Sequence, residues 1–392
     1  MRVIIGVPRE ICPGERRVAL TPANVAALVK KGREVVVESG AGQAAGYTDS
    51  AYADAGASLE SDRAALFARA QIIAQVQSFG LNRSNGDDDL ALLHSGQLVI
   101  GMMDPLGNPA VAQQLAGRGV TAVAMELIPR ITRAQSMDVL STNGMISGYK
   151  AVLIAASASG RMFPMSMTAA GTLNAARVFI MGAGVAGLQA CATAKRLGGI
   201  VEAYDVRPAA REQILSVGAK PIELDLPTEQ AEGKGGYAAK QSEEFLQLQR
   251  KLMGDVLAQQ DIVITTAAVP GARSPILVTA EHVQRMKPGT VIVDLAAERG
   301  GNCELTRPGE EVVVNGVTIL GPLNVPSTVA FHASQMYGKN IENTLMHLVD
   351  KEGALALDFS DEIVVETVIA HSGEVIHKRM RDLLGLAPIA AA

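Results

Sequence analysis

The chain has 392 residues, 48% of them hydrophobic but only 3% aromatic and none Trp, with 39 Gly. At roughly 100–200 residues per domain this length predicts two domains, each with a core built mainly from Ala, Val, Ile, Leu and Met, and it excludes a lone small binding module. Lys and Arg number 35 against 40 Asp and Glu, a net charge of −5, and no basic run could track a phosphate backbone, so nucleic acid is not an expected partner.

The amino terminus enters a strand-like run with an acid behind it, and lacks the apolar stretch and small-residue cleavage site of an export signal, which predicts a cytoplasmic chain. Through the first quarter of the sequence, β-rich runs at Val3 to Val7, Glu34 to Val37, Gln71 to Val76 and Leu98 to Met102 alternate with helical stretches such as Thr21 to Lys31 and Asp62 to Arg69. That alternation predicts a parallel sheet. Next comes a polar run that includes Arg130, Gln135, Asp138 and Ser141. If its latter part is helical, Gln135, Asp138 and Ser141 share one face. The run then reads either as a hydrated helix face with Asp138 near its start or as a polar cluster directed at a ligand. A long helical segment from about Asp138 to Ser157 follows, and Gly160 to Gly171 reads as a loop at a domain crossover.

From Ala176 the βα rhythm restarts, and five strand-like runs with helical spacers describe a doubly wound domain. The first of them, Val178 to Met181, leads into Gly182-Ala-Gly184-Val185-Ala186-Gly187 and a helix to Leu197. In that context Gly182 allows the tight turn, Gly184 lets backbone approach a pyrophosphate, and Gly187 lets helix pack on strand, while helix-start N–H groups attract the anion. The next strand, Ile200 to Tyr204, ends in Asp205, at the distance where a carboxylate meets an adenosine ribose. A carboxylate there favours NAD over NADP; Val206 and Arg207 follow it, and Arg207 is placed to offset the exclusion of a 2′-phosphate.

The stretch Leu226 to Gln247 reads as a surface loop around Tyr237, either a solvated connector or a lid over a bound ligand. Three further loops fall at predicted strand ends, where doubly wound sheets bind ligands: Ala267 to Gly271 with Pro270, Glu298 to Asn302, and Asn324 to Ser327. Together they outline the far side of a cofactor cleft. A helical pattern runs from Ala330 to Val349, and the tail beyond it is too short for a third domain. Cys12, Cys191 and Cys303 have neither disulfide nor zinc spacing. No window holds the about 20 apolar residues of a membrane span. The expected architecture is α/β, with two Rossmann-like doubly wound parallel-sheet domains separated by a cleft. Residues 1–142 and 328–392 form the first domain, which the carboxyl-terminal segment completes, and residues 143–327 the cofactor-binding one.

The runs PREICPGERRVALTP (Pro8 to Pro22), RAQSMDVLS (Arg133 to Ser141), the glycine turn through Gln213, GKGGYA (Gly233 to Ala238), DLAAERGGNCELT (Asp294 to Thr306) and NVPS with ASQMYGKN (Asn324 to Asn340) carry a resemblance over essentially the whole chain. It resembles the NAD(H)-binding component of proton-translocating nicotinamide nucleotide transhydrogenase and the related alanine dehydrogenases. The resemblance implies an NAD(H)-binding oxidoreductase subunit with no metal, and a likeness to a dimer. It implies that Arg130, Gln135, Asp138 and Ser141 act at the nicotinamide side, that Asp205 holds the ribose, and that the Tyr237 segment is the mobile loop. It also implies partners: an NADP(H)-binding domain and membrane-spanning transhydrogenase subunits, which would hold this chain peripherally at the inner membrane. Where alanine dehydrogenases carry a substrate-binding Lys and a catalytic His, this sequence has Gln77 and Asp104, although Arg17 matches the carboxylate-binding Arg; His94 reads as a lone surface residue. Hydride exchange between two nicotinamides needs no acid or base, whereas amino-acid deamination does. The rival readings are a stand-alone amino or imino acid dehydrogenase and a non-catalytic NAD(H) sensor.

Overall fold

The structure, a computed structural model, describes residues 3–226, 242–350 and 354–388. The chain forms two compact units, Met1–Asn143 with Ser327–Ala392, and Gly144–Pro326.

The sheet of the first unit runs, from one edge to the other, Glu374–Val375, Val368–His371, Thr121–Ala124, Leu98–Met102, Ile72–Gln77, Ile4–Val7, Glu34–Glu38 and Ser58–Glu60. Its central strands are parallel and buried on both faces, which is why they read as near-continuous Val and Ile runs. The two carboxyl-terminal strands extend the sheet in antiparallel fashion, Val368 pairing with Val123. The helix Ala330–Leu348 seals one face: Tyr337, Ile341, Leu345 and Leu348, at helical spacing, are buried with Ile5, Val76 and Ile100. Tyr337 also donates its hydroxyl to the Gln75 carbonyl at 2.8 Å. The helix Pro22–Lys30 begins where proline suits a helix start, and the Thr21 N–H donates to Asn24 Oδ1 at 2.9 Å.

The second unit's sheet has the order Lys220–Pro221, Ile200–Tyr204, Arg177–Met181, Ile262–Thr265, Val291–Asp294, Val317–Leu320, Glu311–Val314. The chain leaves Arg177–Met181 toward one edge, then crosses to Ile262–Thr265 and builds toward the other. The reversal makes a switch point between these two neighbours, and ligands of such sheets bind beyond the strands' carboxyl ends there. Pairing of Thr265 with Met181 places both strand ends level.

Several local expectations need correction. The stretch from Gly160 to Gly171 is not all loop, because Ser166–Thr168 and Gly171–Leu173 pair as a hairpin. Glu311–Val314 is an antiparallel edge strand, turned by Asn315 and Gly316, both at positive φ; an Asn-Gly pair suits such a two-residue turn. The expected loop from Leu226 becomes helix at Glu243–Leu257, started by Ser242, whose Oγ accepts from the Phe245 N–H at 3.2 Å. Tyr237 and the rest of 227–241 lie outside the described residues.

Candidate functional site

The strand Arg177–Met181 ends in Gly182 at φ +98°, a conformation that favours glycine. A Cβ there would lie 2.6 Å from Thr266 Oγ1, so the turn passes tightly beside the neighbouring strand's end. Thr266 donates its hydroxyl to the Gly182 carbonyl at 3.1 Å and so fixes the turn from across the switch point. Gly187, in the first turn of the helix Val185–Arg196, would bring a Cβ to 1.8 Å from the Gly182 oxygen. At Gly184 a Cβ would meet nothing within 4 Å, and Gly184 and Val185 are exposed. The first-turn N–H groups of Val185, Ala186 and Gly187 have no intrahelical carbonyl to donate to. Two glycines are thus consumed by packing, while the third leaves a bare approach to helix-start donors, as a pyrophosphate requires. Sequence reasoning overlooked Gly148 of the helix Val139–Ala158, where a Cβ would come within 2.0 Å of the Ala186 oxygen. That helix backs the turn.

Asp205 follows the adjacent strand Ile200–Tyr204. Its Oδ2 accepts from the Ala183 N–H at 2.7 Å, tying the carboxylate to the glycine turn. Oδ1 accepts from the Arg207 N–H and Nε, each at 2.9 Å, and Oδ2 from Arg207 Nη2 at 2.9 Å. Val206 lies in the bend between them.

The Ala267 loop is held by Asn302, whose Oδ1 accepts from the Ala267 N–H at 3.0 Å and whose Nδ2 donates to the Ala267 and Pro275 carbonyls at 2.8 and 2.9 Å. Pro270 and Gly271, the latter at φ +72°, complete that loop. Asn302 is itself set by the buried Asp294 at the end of Val291–Asp294, whose Oδ2 accepts from the Asn302 N–H at 2.7 Å. Glu298 accepts from the Asn324 N–H at 2.6 Å, and Asn324 takes φ +43°. The Ala267, Glu298 and Asn324 loops are thus connected through side chains to backbone amides. Asp294 was not singled out as a site residue from the sequence, since its bonds run to distant loop amides that no spacing reveals.

In the first unit, Gln135 and Ser141 do not share a helix face. Gln135 is exposed on the 3₁₀ turn Thr132–Met137, and the chain is extended at Asp138 before the helix Val139–Ala158 begins. Asp138 instead caps that helix: Oδ1 accepts from the Ser141 N–H at 2.9 Å and Oδ2 from Ser141 Oγ at 2.6 Å. Arg130 Nε stands 3.8 Å from Asp138 Oδ2. Arg130, Asp138 and Ser141 therefore form one cluster, while Gln135 projects beside it. Asn340 Nδ2 donates to the Ser136 carbonyl at 2.8 Å and anchors the turn to the helix Ala330–Leu348.

The first unit's own switch point is filled by protein. Glu10 accepts from the N–H groups of Val76 and Gln77 at 2.6 and 3.1 Å, closing the strand ends where a ligand would otherwise enter. Arg17 is bidentate to Glu15, at 2.8 Å from Nε and 2.7 Å from Nη2, and donates to Asn143 Oδ1 at 3.1 Å. Gln77 Nε2 donates to Glu15 at 2.7 Å and its Oε1 accepts from Cys12 at 3.1 Å; Asp104 pairs with Arg83 at 3.2 Å. His94 is exposed. Burial, and then the Glu15 carboxylate, push the Glu10 carboxyl from 4.5 up to about 8. A proton held more tightly in the folded state stabilises fully below about 4.5, and that contribution is lost as pH rises through about 8. Urea unfolding should therefore show lower stability at pH 8 than at pH 5, and Glu10→Gln should reduce the difference; an unchanged difference would remove Glu10 as its source.

The doubly wound sheet, the glycine turn at its switch point and the turn-linked carboxylate together define a dinucleotide-binding oxidoreductase fold. Residues 6–147 match the family model "Alanine dehydrogenase/PNT, N-terminal domain" and residues 151–378 its C-terminal counterpart. The chain is 47% identical to an NAD(P) transhydrogenase subunit alpha chain of Rhodospirillum rubrum, over 95% of this chain and 97% of that one. It is 28% identical to the alanine dehydrogenase of Halomonas elongata over 99% and 98% of the two chains. A transhydrogenase crystal structure from Sinorhizobium meliloti superposes with a TM-score of 0.84 at 45% identity, covering 95% of this chain and 100% of the other. The chain belongs to the alanine dehydrogenase/PNT family and is an oxidoreductase.

Proposed function

We propose that this chain is the NAD(H)-binding subunit of a proton-translocating transhydrogenase, in which hydride passes directly from NADH to NADP+ held on a partner domain. The observation that carries the reading is a complete glycine turn and ribose carboxylate alongside Gln77 and Asp104, which supply neither the amine nor the imidazole that deamination uses. The similarity to transhydrogenase alpha subunits supports it. When bound, NAD(H) supplies the hydride, and the chain's own residues hold and aim it. The N–H groups of Val185, Ala186 and Gly187 take the pyrophosphate above the bare face of Gly184. Asp205, with Val206 and Arg207, takes the adenosine ribose. Ala267, Pro270, Gly271, Glu298 and Asn324 flank the dinucleotide, Tyr237 closes over it, and Arg130, Gln135, Asp138 and Ser141 orient the nicotinamide.

No described helix is long and apolar enough to cross a membrane, so proton translocation belongs to a membrane-spanning partner that holds this cytoplasmic subunit at the inner membrane. A homodimer is supported by the hairpin Ser166–Thr168 and Gly171–Leu173, where Met162, Met165, Met167 and Leu173 are all more than half exposed, an apolar group that suits a protein interface.

Two measurements test the reading. The purified chain should turn over neither alanine with NAD+ nor pyruvate with ammonia and NADH; sustained turnover of either would make it a dehydrogenase. Gln135→Asn, which shortens an exposed side chain without touching the Asp138 cap, should slow hydride transfer at least about tenfold, as expected for about 1.4 kcal/mol of lost alignment, with little change in NADH affinity. Equal losses in rate and affinity would assign Gln135 to binding alone.

A further inference from the structure

The Asp205 carboxylate already has four donors: the N–H groups of Ala183 and Arg207, and Nε and Nη2 of the Arg207 side chain. A carboxylate offers about four lone-pair sites, so ribose hydroxyls cannot be added without removing one of these donors. The two backbone donors are fixed by the glycine turn and the bend after the strand. The guanidinium is the one that can leave, since its side chain, though only 14% exposed, swings on rotatable bonds. We infer that Arg207 determines cofactor choice at this site by competing with the ribose hydroxyls for Asp205 and by offering its fork to a 2′-phosphate when one is present. This rests on the reading of Asp205 as the ribose acid.

The chemistry is asymmetric. With NAD(H), the two hydroxyls displace Nε and Nη2, so part of the hydrogen bonding they gain is offset by the pair they break. With NADP(H), a guanidinium beside the 2′ position neutralises the phosphate that Asp205 alone would repel, and it does so with two parallel N–H groups. Arg207 therefore weakens NAD(H) binding and narrows the preference that the carboxylate imposes. A simple brace would act differently: if Arg207 served only to aim Asp205, removing it would weaken the hydroxyl-bearing cofactor.

The test is binding of NADH and of NADPH, followed by nucleotide fluorescence on the full chain, for the parent, Arg207→Leu, Arg207→Lys and Asp205→Asn. Arg207→Leu should tighten NADH about three- to tenfold, the worth of a hydrogen bond or two no longer broken, and weaken NADPH at least about tenfold. Arg207→Lys keeps the charge but not the fork, and should tighten NADH less while retaining most NADPH affinity. Loss of NADH affinity in Arg207→Leu, or NADH binding unchanged in both Arg207 variants, overturns the inference. If Arg207→Leu does not fold, Arg207→Lys decides it on the same NADH criterion. Asp205→Asn separates the two claims: unchanged NADH affinity there would remove Asp205 from the ribose site, whereas a weakened Asp205→Asn with no gain in the Arg207 variants would defeat the competition alone.

Discussion

Gly187→Ala should eliminate measurable NADH binding and destabilise the second unit. The added Cβ would sit 1.8 Å from the Gly182 oxygen and 2.8 Å from its carbonyl carbon, and would also approach Thr266 Oγ1 at 3.3 Å. All but the last are backbone atoms of the turn, so no side chain can rotate away. The turn is already fixed, with Gly182 at φ +98° and its carbonyl bonded to Thr266. Relief requires the helix Val185–Arg196 to lift off the sheet, which moves the helix-start N–H groups and costs about 1–3 kcal/mol or more of stability. Gly184→Ala supplies the contrast. Its Cβ meets nothing within 4 Å, so unfolding should stay within about 0.5 kcal/mol of the parent while NADH binding still weakens, because the methyl occupies the approach assigned to the pyrophosphate. Calorimetric melting with NADH titration measures both; normal NADH affinity in Gly187→Ala would show that the turn does not hold the dinucleotide.

Asp294→Asn should be among the most destabilising single changes in the second unit. The carboxylate has no exposed surface. Oδ1 accepts from Thr265 Oγ1 at 2.9 Å and the Ala296 N–H at 3.0 Å. Oδ2 accepts from the Asn302 and Cys303 N–H groups at 2.7 and 2.9 Å and from Thr306 Oγ1 at 2.7 Å. An amide must turn its NH2 toward one of these two sets of donors, leaving buried N–H groups facing N–H groups. Each buried donor left without an acceptor costs about 1–3 kcal/mol, so a loss of about 3 kcal/mol or more is expected in urea unfolding. The same change should loosen Asn302 and with it the Ala267 loop, weakening NADH without touching it. A loss below about 1 kcal/mol would mean that the network re-forms around the amide.

Sequence carried the parallel cores of both units because those strands are buried on both faces, and uninterrupted runs such as Val178 to Met181 and Ile262 to Thr265 have few other readings. The antiparallel edges were missed although their signals were present. Asn315-Gly316 and Ser372-Gly373 each turn a two-residue hairpin with both residues at positive φ, and counting βα units does not weigh such pairs. The glycine turn and Asp205 were legible because pyrophosphate and ribose impose local spacing. The connections of Asn302 to Ala267 and of Glu298 to Asn324 were not, because they join segments that only the sheet brings together. At Asp138 helical periodicity misled: the residue three positions before Ser141 caps the helix, and a cap ends the face that spacing alone would extend to Gln135.

The central claim is that this chain presents NAD(H) for direct hydride exchange with a partner's NADP(H). The most direct measurement is reduction of an NAD analogue by NADH, first with the purified chain alone and then with a purified transhydrogenase domain loaded with NADP(H). The account predicts no reduction by the chain alone and rapid reduction when both proteins and NADP(H) are present. Demonstrated NADH binding without exchange in the complete mixture would contradict it.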